Sequence, residues 1–453
     1  MKTSVIGLGK LGAPLAAVLA SKGHQVVGVD VNPDFVRALA AGRAPVDEPG
    51  LQELIGRSGG RLSATLDCEA AVLGSDVSFV IVPTPSDSQG GFSNKYVLSA
   101  LASIGQALRK KRGYHVVNIT CTVMPGAMNG EIRQALEAAS GRQVGAQGEN
   151  GVGLCYNPEF IALGSVIRDM LRPDMILIGE SDARAGQMLE DIYRATCDNN
   201  PPVRRMNLVN AEITKIAVNT YVTTKISYAN MLAEICERLP AADVDVVTDA
   251  LGMDSRIGVK YLKGALAYGG PCFPRDNVAF AHLARSLGAR ADLAEATDRL
   301  NRHQTGRLAA AAARLLDGRS RIGVLGLAYK PGTSVIEESP GVALAARLSE
   351  ERFEVYVHDP MALASAMAVL QDKVVPIVSA EECVQAVDAL VITTPWPQFA
   401  KIPAATFARA GRRLQVLDCW RMLDRDKVGA VADIHYLGIG GLEPASRIRA
   451  VKS

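Results

Sequence analysis

The start of the chain holds a strand, a glycine-rich turn, a helix and a second strand in immediate succession. Residues 2–6 have the apolar character of a buried strand, and residues 13–21 are rich in Ala and Leu, as expected of a helix that ends before Gly23. Residues 25–30 supply the second strand pattern. This β-α-β order restricts the N-terminal part of the chain to an α/β fold with a parallel sheet.

The turn of this unit carries glycines in the order G-x-G-x-x-G. Gly7 permits the tight turn, Gly9 lets a pyrophosphate approach the backbone, and Gly12 allows the helix to pack closely on the sheet. Asp30, at the end of the second strand, would accept hydrogen bonds from ribose hydroxyls and repel a 2′-phosphate. The pattern predicts an NAD site; the alternative is a Rossmann-like turn that binds no phosphate.

Similar strand runs alternate with helical patterns along the rest of the chain, at residues 77–82, 114–120, 175–179, 321–330, 355–359 and 389–393. They predict two Rossmann-like doubly wound parallel-sheet domains. The second glycine turn, with Gly323 and Gly326, lacks a third glycine at the usual spacing. We therefore expect it to serve something other than dinucleotide binding.

A long segment without Gly or Pro, residues 203–239, follows the break at Pro201-Pro202. Its apolar spacing predicts one long, largely buried helix, which would join two domains and contribute to a dimer interface. The predicted domains are an NAD-binding domain at residues 1–200, a central helical dimerisation domain with the cysteine loop described below at residues 201–316, and a second Rossmann-like domain at residues 317–453.

Composition narrows the classes of protein that fit this chain of 453 residues, which is long enough for two or three domains. Its formal net charge of +2 implies no general attraction to nucleic acid or to an anionic membrane. The eight cysteines form no C-x-x-C pair and the six histidines no H-E-x-x-H motif, so we expect neither a metal site nor a disulfide framework. No leader pattern or membrane-length apolar run is present, which favours a cytoplasmic location.

Residues 268–276, Tyr-Gly-Gly-Pro-Cys-Phe-Pro-Arg-Asp, place one cysteine in an unusual setting. Two glycines before Cys272 let the backbone bend sharply, and Arg275 offers a positive charge that favours a thiolate. Asp276 is close enough in sequence to orient a water or a proton. The segment predicts a nucleophilic thiol; the alternative is a structural turn around a buried cysteine.

Polar residues follow several strands of the first sheet, in the loops 83–85, 120–122 and 157–160. The carboxyl ends of strands are where ligands bind in such sheets, although each loop alone could be a structural turn. Lys215 and Asn219 lie four residues apart on the long helix and therefore share a face. They either point at a substrate or mark an edge of the helix exposed to solvent.

Taken in order, these motifs resemble the UDP-glucose/GDP-mannose 6-dehydrogenases, which oxidise the C6 alcohol of a nucleotide sugar to a carboxylate. The resemblance covers nearly the whole chain and implies that residues 317–453 form a UDP-sugar-binding domain. It rests on residues 7–12, 82–86, 92–96, 157–160, 215 with 219, 254–258, 269–276 and 327–330.

The resemblance implies a four-electron oxidation that uses two NAD⁺ per sugar. Cys272 would attack the aldehyde formed first, giving a thiohemiacetal and then a thioester that water hydrolyses. The remaining catalytic roles would be oxyanion stabilisation by Lys215, proton transfer through a water held by Asp276 and Thr122, assistance to hydrolysis by Glu159, and sugar binding by Asn219.

The resemblance also implies which residues contact ligands. Cofactor contacts would come from Gly7, Gly9, Lys10, Leu11, Gly12, Asp30, Pro83, Thr84, Thr122 and Arg275. Substrate contacts would come from Glu159, Phe160, Ile161, Lys215, Asn219, Arg256, Tyr261, Tyr268, Gly269, Phe273, Tyr329, Lys330 and Arg421. Arg256 would reach the substrate of a neighbouring subunit, so the resemblance implies a homodimer or a higher homo-oligomer.

The sequence departs from the family pattern at several positions. Leu163 stands where many members have Glu, Pro271 replaces Ser, Arg275 replaces Lys, Met124 replaces Pro, and Glu337 replaces Arg. These changes bear on the identity of the sugar and on the rate of hydrolysis.

UDP-glucose is the favoured substrate, because residues 157–163 differ from the Asn-Pro-Glu-Phe-Leu-Arg-Glu typical of GDP-mannose enzymes. GDP-mannose, UDP-galactose and UDP-N-acetylhexosamines stay open. A two-electron hydroxyacid dehydrogenase would need neither Cys272 nor residues 321–453. A non-catalytic sensor of nucleotide sugars would not need Cys272, Lys215 and Asp276 together.

Overall fold

The computed structural model describes residues 1–146, 148, 151–316 and 318–441. The chain forms two compact units, Met1–Ala217 and Val218–Ser453, and each contains its own β-sheet. The fold class predicted from the sequence, two Rossmann-like α/β parts with a long central helix, is confirmed.

The first unit is built on an eight-stranded sheet. Its strands are β1 (Lys2–Ile6), β2 (Gln25–Val29), β3 (Leu62–Thr65), β4 (Val77–Val80), β5 (His115–Ile119), β6 (Val152–Tyr156), β7 (Ile176–Glu180) and β8 (Val203–Asn207). They lie in the order β3-β2-β1-β4-β5-β6-β7-β8. All neighbours are parallel except β6 and β7, which are antiparallel. β5 and β6 are buried along their whole length, because helices cover both faces of the sheet.

Two apolar clusters cover the faces of this sheet, one around Leu15 and Leu19 and the other around Leu101 and Leu136. The helices of the first unit are α1 (Gly12–Ser21), α2 (Pro33–Ala40), α3 (Leu51–Gly56), α4 (Cys68–Leu73), α5 (Lys95–Lys110), α6 (Arg133–Ser140), α7 (Val166–Leu171) and α8 (Ala183–Thr196). A π-helical turn, Met128–Ile132, precedes α6.

The long helix, α9, is Leu208–Glu237, and its 30 residues correspond to about 45 Å. It begins in the first unit and ends in the second. The prediction of a helix from residue 203 is wrong for Val203–Asn207, which instead form β8 parallel to β7. Arg205 donates to the Glu180 carboxylate of β7 at 2.8 Å, and this pair together with the backbone ladder favours a strand over a further turn of helix.

The second unit continues with α10 (Val244–Met253), α11 (Phe273–Ser286) and α12 (Asp292–Leu316). Its sheet consists of β9 (Arg321–Leu325), β10 (Glu354–His358), β11 (Val375–Pro376), β12 (Ala389–Ile392), β13 (Gln415–Asp418) and β14 (Asp433–Tyr436). These strands are parallel in the order β11-β10-β9-β12-β13-β14. The helices packed around them are α13 (Pro340–Glu350), α14 (Leu363–Leu370), α15 (Ala380–Ala386) and α16 (Arg425–Gly429), with short 3₁₀ turns at Gln371–Lys373, Phe399–Lys401 and Ala404–Phe407.

The second sheet repeats the glycine turn of the first with an insertion. Gly7 and Gly326 both have positive φ, at +104° and +107°. A Cβ on Gly12 would overlap the Gly7 carbonyl, and a Cβ on Gly341 would overlap the Gly326 carbonyl in the same way. The third glycine that the sequence pattern lacked is therefore Gly341. It is displaced along the chain by an inserted segment, residues 327–340, that includes Tyr329 and Lys330.

None of the helices in the described ranges is both long and apolar enough to cross a bilayer. None of the eight cysteines forms a disulfide bond. Among the same residues, no group of three or more His, Cys, Asp or Glu side chains is arranged to hold a metal ion.

Candidate active site

The glycine turn between β1 and α1 has the geometry of a dinucleotide cradle. The Gly7 amide donates to the Val29 carbonyl at 2.7 Å, and a Cβ on Gly7 would overlap the Ile81 carbonyl. A Cβ on Gly9 would meet nothing within 4 Å, which leaves open space beside the backbone. No side chain caps the N-terminus of α1, so its first amides are suited to a phosphate. Lys10 is exposed and Leu11 half-buried beside this turn.

Asp30 closes the same turn. Its carboxylate accepts from the Leu8 amide at 2.6 Å and the Asn32 amide at 2.8 Å. One bond to each oxygen leaves further acceptor sites on a half-buried carboxylate, as ribose hydroxyls require. The turn and Asp30 therefore fit an NAD molecule.

The corresponding acid of the second sheet, Asp359, is used differently. Its carboxylate accepts from the amides of Leu327, Ala328, Met361 and Ala362 and from the Trp396 indole, all within 3.0 Å. These bonds saturate a carboxylate that is 3% exposed. Asp359 therefore holds the start of the inserted segment and has no free acceptor for a ribose.

A buried thiol joins the loops that follow β4 and β5. The Cys121 sulfur accepts from the Val82 amide at 3.2 Å and lies 3.3 Å from the Val80 carbonyl. Pro83 and Thr84 continue from Val82, and Thr122 follows Cys121, so the predicted cofactor residues of both loops are brought together. The sequence analysis placed Cys121 in the loop 120–122 at a strand end but gave this thiol no role of its own.

Glu159 lies in the loop after β6 and is half-buried. Burial raises the pKa of its carboxyl to about 7, against the opposing effects of the Lys215 charge and the Tyr193 hydroxyl. Tyr193 donates to Asn157 and lies 3.5 Å from Glu159 Oε1. A carboxyl that titrates near neutrality can both accept and donate a proton under physiological conditions.

Lys215 is buried beside the same loop. Its ammonium donates to the Glu159 backbone carbonyl at 2.5 Å and lies 4.5 Å from the centre of the Phe160 ring. The alternative of a solvent-exposed edge is therefore excluded for Lys215. Ile161 and Leu163, farther along the loop, pack against the apolar core of the first unit.

Cys272 is the one cysteine of the eight whose residue is exposed. It is the N-cap residue of α11, where Phe273 and Pro274 begin the helix. The positive end of the helix and the neighbouring Arg275 both favour negative charge at this point. The alternative of a buried structural cysteine is therefore excluded for Cys272.

Asp276 lies in the first turn of α11 and is 1% exposed. Its Oδ2 accepts from the Asn219 amide at 2.6 Å, and its Oδ1 lies 3.4 Å from Arg275 Nε without forming a hydrogen bond. A buried carboxylate oxygen without a hydrogen-bond partner is costly. Asp276 therefore has an acceptor ready for a water molecule or a reacting hydroxyl.

The glycines before Cys272 pack against the inserted segment of the second sheet. Gly270 has φ of +87°, and a Cβ there would lie 2.7 Å from the Tyr329 ring. The Gly270 amide donates to the Glu337 carbonyl at 2.9 Å, and a Cβ on Gly269 would overlap the Glu338 carbonyl. Only glycine at both positions allows this contact.

Two asparagines that the sequence prediction missed hold the aromatic residues near Cys272. Asn277 donates to Thr223 at 2.8 Å, to the Tyr268 hydroxyl at 3.3 Å and to the Phe273 carbonyl at 3.0 Å. Asn301 brackets the Tyr268 backbone by accepting from its amide and donating to its carbonyl. Tyr268 and Phe273 pack edge to face with ring centres 6.2 Å apart.

The remaining predicted substrate residues lie in the second unit. Lys330 is half-buried next to the Tyr329 ring, and Tyr261 is exposed with φ of +65°. Arg256 is highly exposed and makes a bidentate contact with Asp254. An exposed guanidinium of this kind is available to a second molecule.

Arg421 uses all five of its N–H donors within the second unit. It donates to both oxygens of Asp245 at 2.7 and 2.8 Å and to the carbonyls of Cys419, Leu437 and Gly264. Although burial acts in the other direction, the Arg421 guanidinium lowers the pKa of Asp245. These contacts show that Arg421 holds α10 to the loop after β13. The sugar contact that the resemblance implies for Arg421 stays a prediction.

Comparison with known proteins gives matches along most of the chain. Residues 1–197 match the NAD binding domain of the UDP-glucose/GDP-mannose dehydrogenase family, residues 209–303 its central domain, and residues 323–425 its UDP binding domain. A UDP-glucose 6-dehydrogenase of Haloferax volcanii is 36% identical over 407 residues, covering 89% of this chain and 93% of that protein. A GDP-mannose 6-dehydrogenase of Pseudomonas aeruginosa is 35% identical over 365 residues, covering 79% of this chain and 81% of that protein.

Among solved structures, a UDP-glucose dehydrogenase from the archaeon Pyrobaculum islandicum superimposes with a TM-score of 0.86 at 36% identity. The match covers 97% of this chain and 98% of that one.

Proposed function

The chain belongs to the UDP-glucose/GDP-mannose dehydrogenase family, and from this premise we propose that it oxidises UDP-glucose at C6 to UDP-glucuronate. The family predicted from the motifs is confirmed, as is NAD as the cofactor, and the chain is an NAD-dependent nucleotide-sugar dehydrogenase. UDP-glucose is favoured because UDP-glucose 6-dehydrogenases match 89% and 98% of the chain, against 79% for the GDP-mannose enzymes.

The observation that carries the proposal is that one helical turn holds both an exposed thiol and a buried carboxylate with one oxygen that accepts no hydrogen bond. Cys272 and Asp276 are four residues apart at the start of α11, and the Asp276 amide donates to the Cys272 carbonyl at 2.8 Å. A two-electron alcohol dehydrogenase has no use for such a thiol. A four-electron oxidation needs it to keep the aldehyde bound between the two oxidations.

NAD⁺, when bound, would be the oxidant that accepts a hydride from C6 in each of the two oxidations. In the first, the C6 alcohol loses that hydride and its hydroxyl proton and becomes the aldehyde. Between them, the Cys272 sulfur bonds to the aldehyde carbon while the aldehyde oxygen takes up a proton, which gives a thiohemiacetal. Loss of a hydride from carbon and a proton from the hydroxyl gives the thioester. Water then adds to the thioester carbonyl, the carbon–sulfur bond breaks, and the thiolate leaves the carboxylate product.

The other predicted catalytic residues take up the charges and protons of these steps. Lys215 stabilises the oxyanions. Thr122 and Asp276 act through a water molecule, and Asp276 has the free acceptor that this role requires. Glu159 accepts a proton from the hydrolytic water, a role that its pKa of about 7 suits. Asn219 binds the sugar and holds Asp276.

We also propose that the active form is a homodimer. Tyr221, Tyr228 and Ile235 recur every seven residues along α9 and are each about half exposed. A stripe with this spacing suits packing against a second helix, and the exposed Arg256 fits a role in a neighbouring subunit's site. Because the net charge is only +2 and none of the eight cysteines forms a disulfide bond, we propose a cytoplasmic protein that binds no nucleic acid.

The test is to incubate the purified protein with NAD⁺ and each of UDP-glucose, UDP-galactose, UDP-N-acetylglucosamine and GDP-mannose, and to count the NADH formed per sugar consumed. We expect two NADH with UDP-glucose and little with the others. One NADH per sugar would contradict the four-electron reaction. Two NADH formed with one of the other sugars, and none with UDP-glucose, would show that the enzyme is specific for that other sugar.

A further inference from the structure

Two buried glutamates that no motif assigned each hold one loop of the first unit. We propose that Glu48 and Glu212 are positioning residues with separate tasks: Glu212 fixes the Thr122 loop for the oxidations, and Glu48 fixes the Glu159 loop for thioester hydrolysis. The division of tasks rests on the proposed function, whereas the positioning itself does not.

Glu212 lies in α9, three residues before Lys215, and is 0% exposed. Its Oε2 accepts from the Gly126 amide at 2.9 Å and its Oε1 from the Met128 amide at 2.8 Å. Gly126 has φ of +98°, and Met128 begins the π-helical turn. The carboxylate therefore fixes the turn by which the chain leaves Thr122.

Glu48 lies between α2 and α3 and is buried as well. Its Oε1 accepts from the Val166 amide at 2.8 Å and its Oε2 from the Gly164 amide at 3.2 Å. Gly164 has φ of +84°, and Val166 is the first residue of α7. This carboxylate fixes the end of the loop that begins with Asn157 and Glu159.

Both contacts require a carboxylate. Each side chain presents two acceptor oxygens to two backbone amides that lie two residues apart. A glutamine of the same size has one acceptor oxygen, and its NH₂ group would face the second amide donor to donor. Glu→Gln at either position therefore releases one loop amide with little change in side-chain volume.

The helix α9 contacts both catalytic loops of the first unit. Glu212 ties α9 to the Thr122 loop, and Lys215, on the next turn of the same helix, ties it to the Glu159 loop through the Glu159 carbonyl. Loosening the Thr122 loop affects proton transfer during the oxidations. Loosening the far end of the Glu159 loop affects the hydrolytic base.

The two variants should therefore fail at different steps. With UDP-glucose and NAD⁺ in rapid-quench experiments, we expect Glu212→Gln to slow the first NADH formation at least tenfold without accumulation of a Cys272 adduct. We expect Glu48→Gln to form two NADH per site at nearly the normal rate, then turn over at least tenfold more slowly with an acyl adduct on Cys272, seen by intact mass. The Glu→Asp variants, which keep both acceptors, should recover part of each step.

Hydrogen exchange of the unliganded protein tests the positioning without catalysis. Glu212→Gln should speed exchange in residues 122–128 alone, and Glu48→Gln in residues 159–166 alone. Glu137→Gln is the matched control, because the Glu137 carboxylate also accepts from a backbone amide, that of Val144, away from both loops.

Unchanged exchange in both loops would overturn the positioning. If each variant showed the expected faster exchange in its own loop but both had the same kinetic defect, the division of tasks would be overturned. If wild-type protein released no NADH with any nucleotide sugar, the proposed function would fail while the exchange result still decided the positioning.

Discussion

The Asn219 side-chain amide donates to Asp276 Oδ2 at 2.6 Å and leaves Oδ1 without a hydrogen-bond partner within the described part of the chain. Both side chains are buried, Asn219 at 8% and Asp276 at 1% exposure. One oxygen is thus anchored and the other is available for the proton transfer that we propose for Asp276.

Asn219→Ala should lower kcat about ten- to a hundredfold, because losing one hydrogen bond to a buried carboxylate costs about 1.5–3 kcal/mol. Asn219→Asp should be worse, since it places two carboxylates in contact. Steady-state kinetics of both variants check this. Equal activity in Asn219→Asp and wild type would contradict the role of the amide.

The rate of thioester hydrolysis should rise with pH and level off above about 7, the pKa of Glu159 in the folded protein. Glu159→Gln should remove this dependence and slow hydrolysis. Because the folded-state pKa is raised from 4.5, the contribution of this group to stability is present at low pH and is lost as the pH rises towards 7. The pH dependence of hydrolysis is measured by the single-turnover decay of the acyl enzyme, followed over about three pH units, from about pH 5.5 to about 8.5.

His115 should make the protein sensitive to acid. It is fully buried, its Nε2 bonds Ser78 at 2.8 Å, and burial lowers its pKa to about 3. A base with a lowered folded-state pKa stabilises the fold above its unfolded value of 6.5, and this contribution is lost as the pH falls towards 3.

As the pH falls from 6.5 to 5, the contribution of His115 to the free energy of unfolding should decrease by about 2 kcal/mol, which urea titration measures. His115→Asn should flatten this slope. The surface control, His303→Asn, replaces a histidine whose side chain is 55% exposed and whose Nε2 lies 3.5 Å from Glu234 Oε2.

Gly270→Ala should cost more than its matched control, Gly258→Ala. Both glycines have positive φ, but a Cβ on Gly258 meets nothing within 4 Å, whereas a Cβ on Gly270 lies 2.7 Å from the Tyr329 ring. Backbone strain in Gly258→Ala should lower the free energy of unfolding by about 1 kcal/mol. The contact with Tyr329 in Gly270→Ala should lower it by about 1–3 kcal/mol more and should slow alkylation of Cys272. Equal effects in thermal unfolding and alkylation would show that the Tyr329 contact does not matter.

Arg421→Lys separates the two roles considered for this residue. If Arg421 holds α10 to the loop after β13, the variant should lose about 3 kcal/mol of stability, because Lys cannot replace five donors in a forked geometry. Asp245→Asn should then lose stability too. A large rise in the KM for UDP-glucose with unchanged thermal unfolding would instead support the sugar contact predicted from sequence.

The sequence predicted the parts of the site that depend on local backbone chemistry. Gly7, Gly12 and Asp30 are tied to a turn whose geometry few other residues allow, and Cys272 and Asp276 lie on one helical turn. Lys215 was recognisable as a charged residue on an apolar stretch of helix.

What the sequence did not show depends on contacts between distant segments. Val203–Asn207 has no helix breaker, yet it forms a strand because β7 offers an open edge and Glu180 pairs with Arg205. Gly341 does not fit the G-x-G-x-x-G spacing, because an insertion separates it from Gly326. The five donors of Arg421 come together with their acceptors only in the folded second unit.

The most direct measurement is the mass of Cys272-containing peptides after acid quench of wild-type protein during turnover with UDP-glucose and NAD⁺. The account predicts a peptide that carries a UDP-glucuronyl group on Cys272, absent when NAD⁺ is omitted and absent in Cys272→Ala, which should form no acid. Full acid formation by Cys272→Ala, with no adduct on any wild-type peptide, would contradict the covalent mechanism.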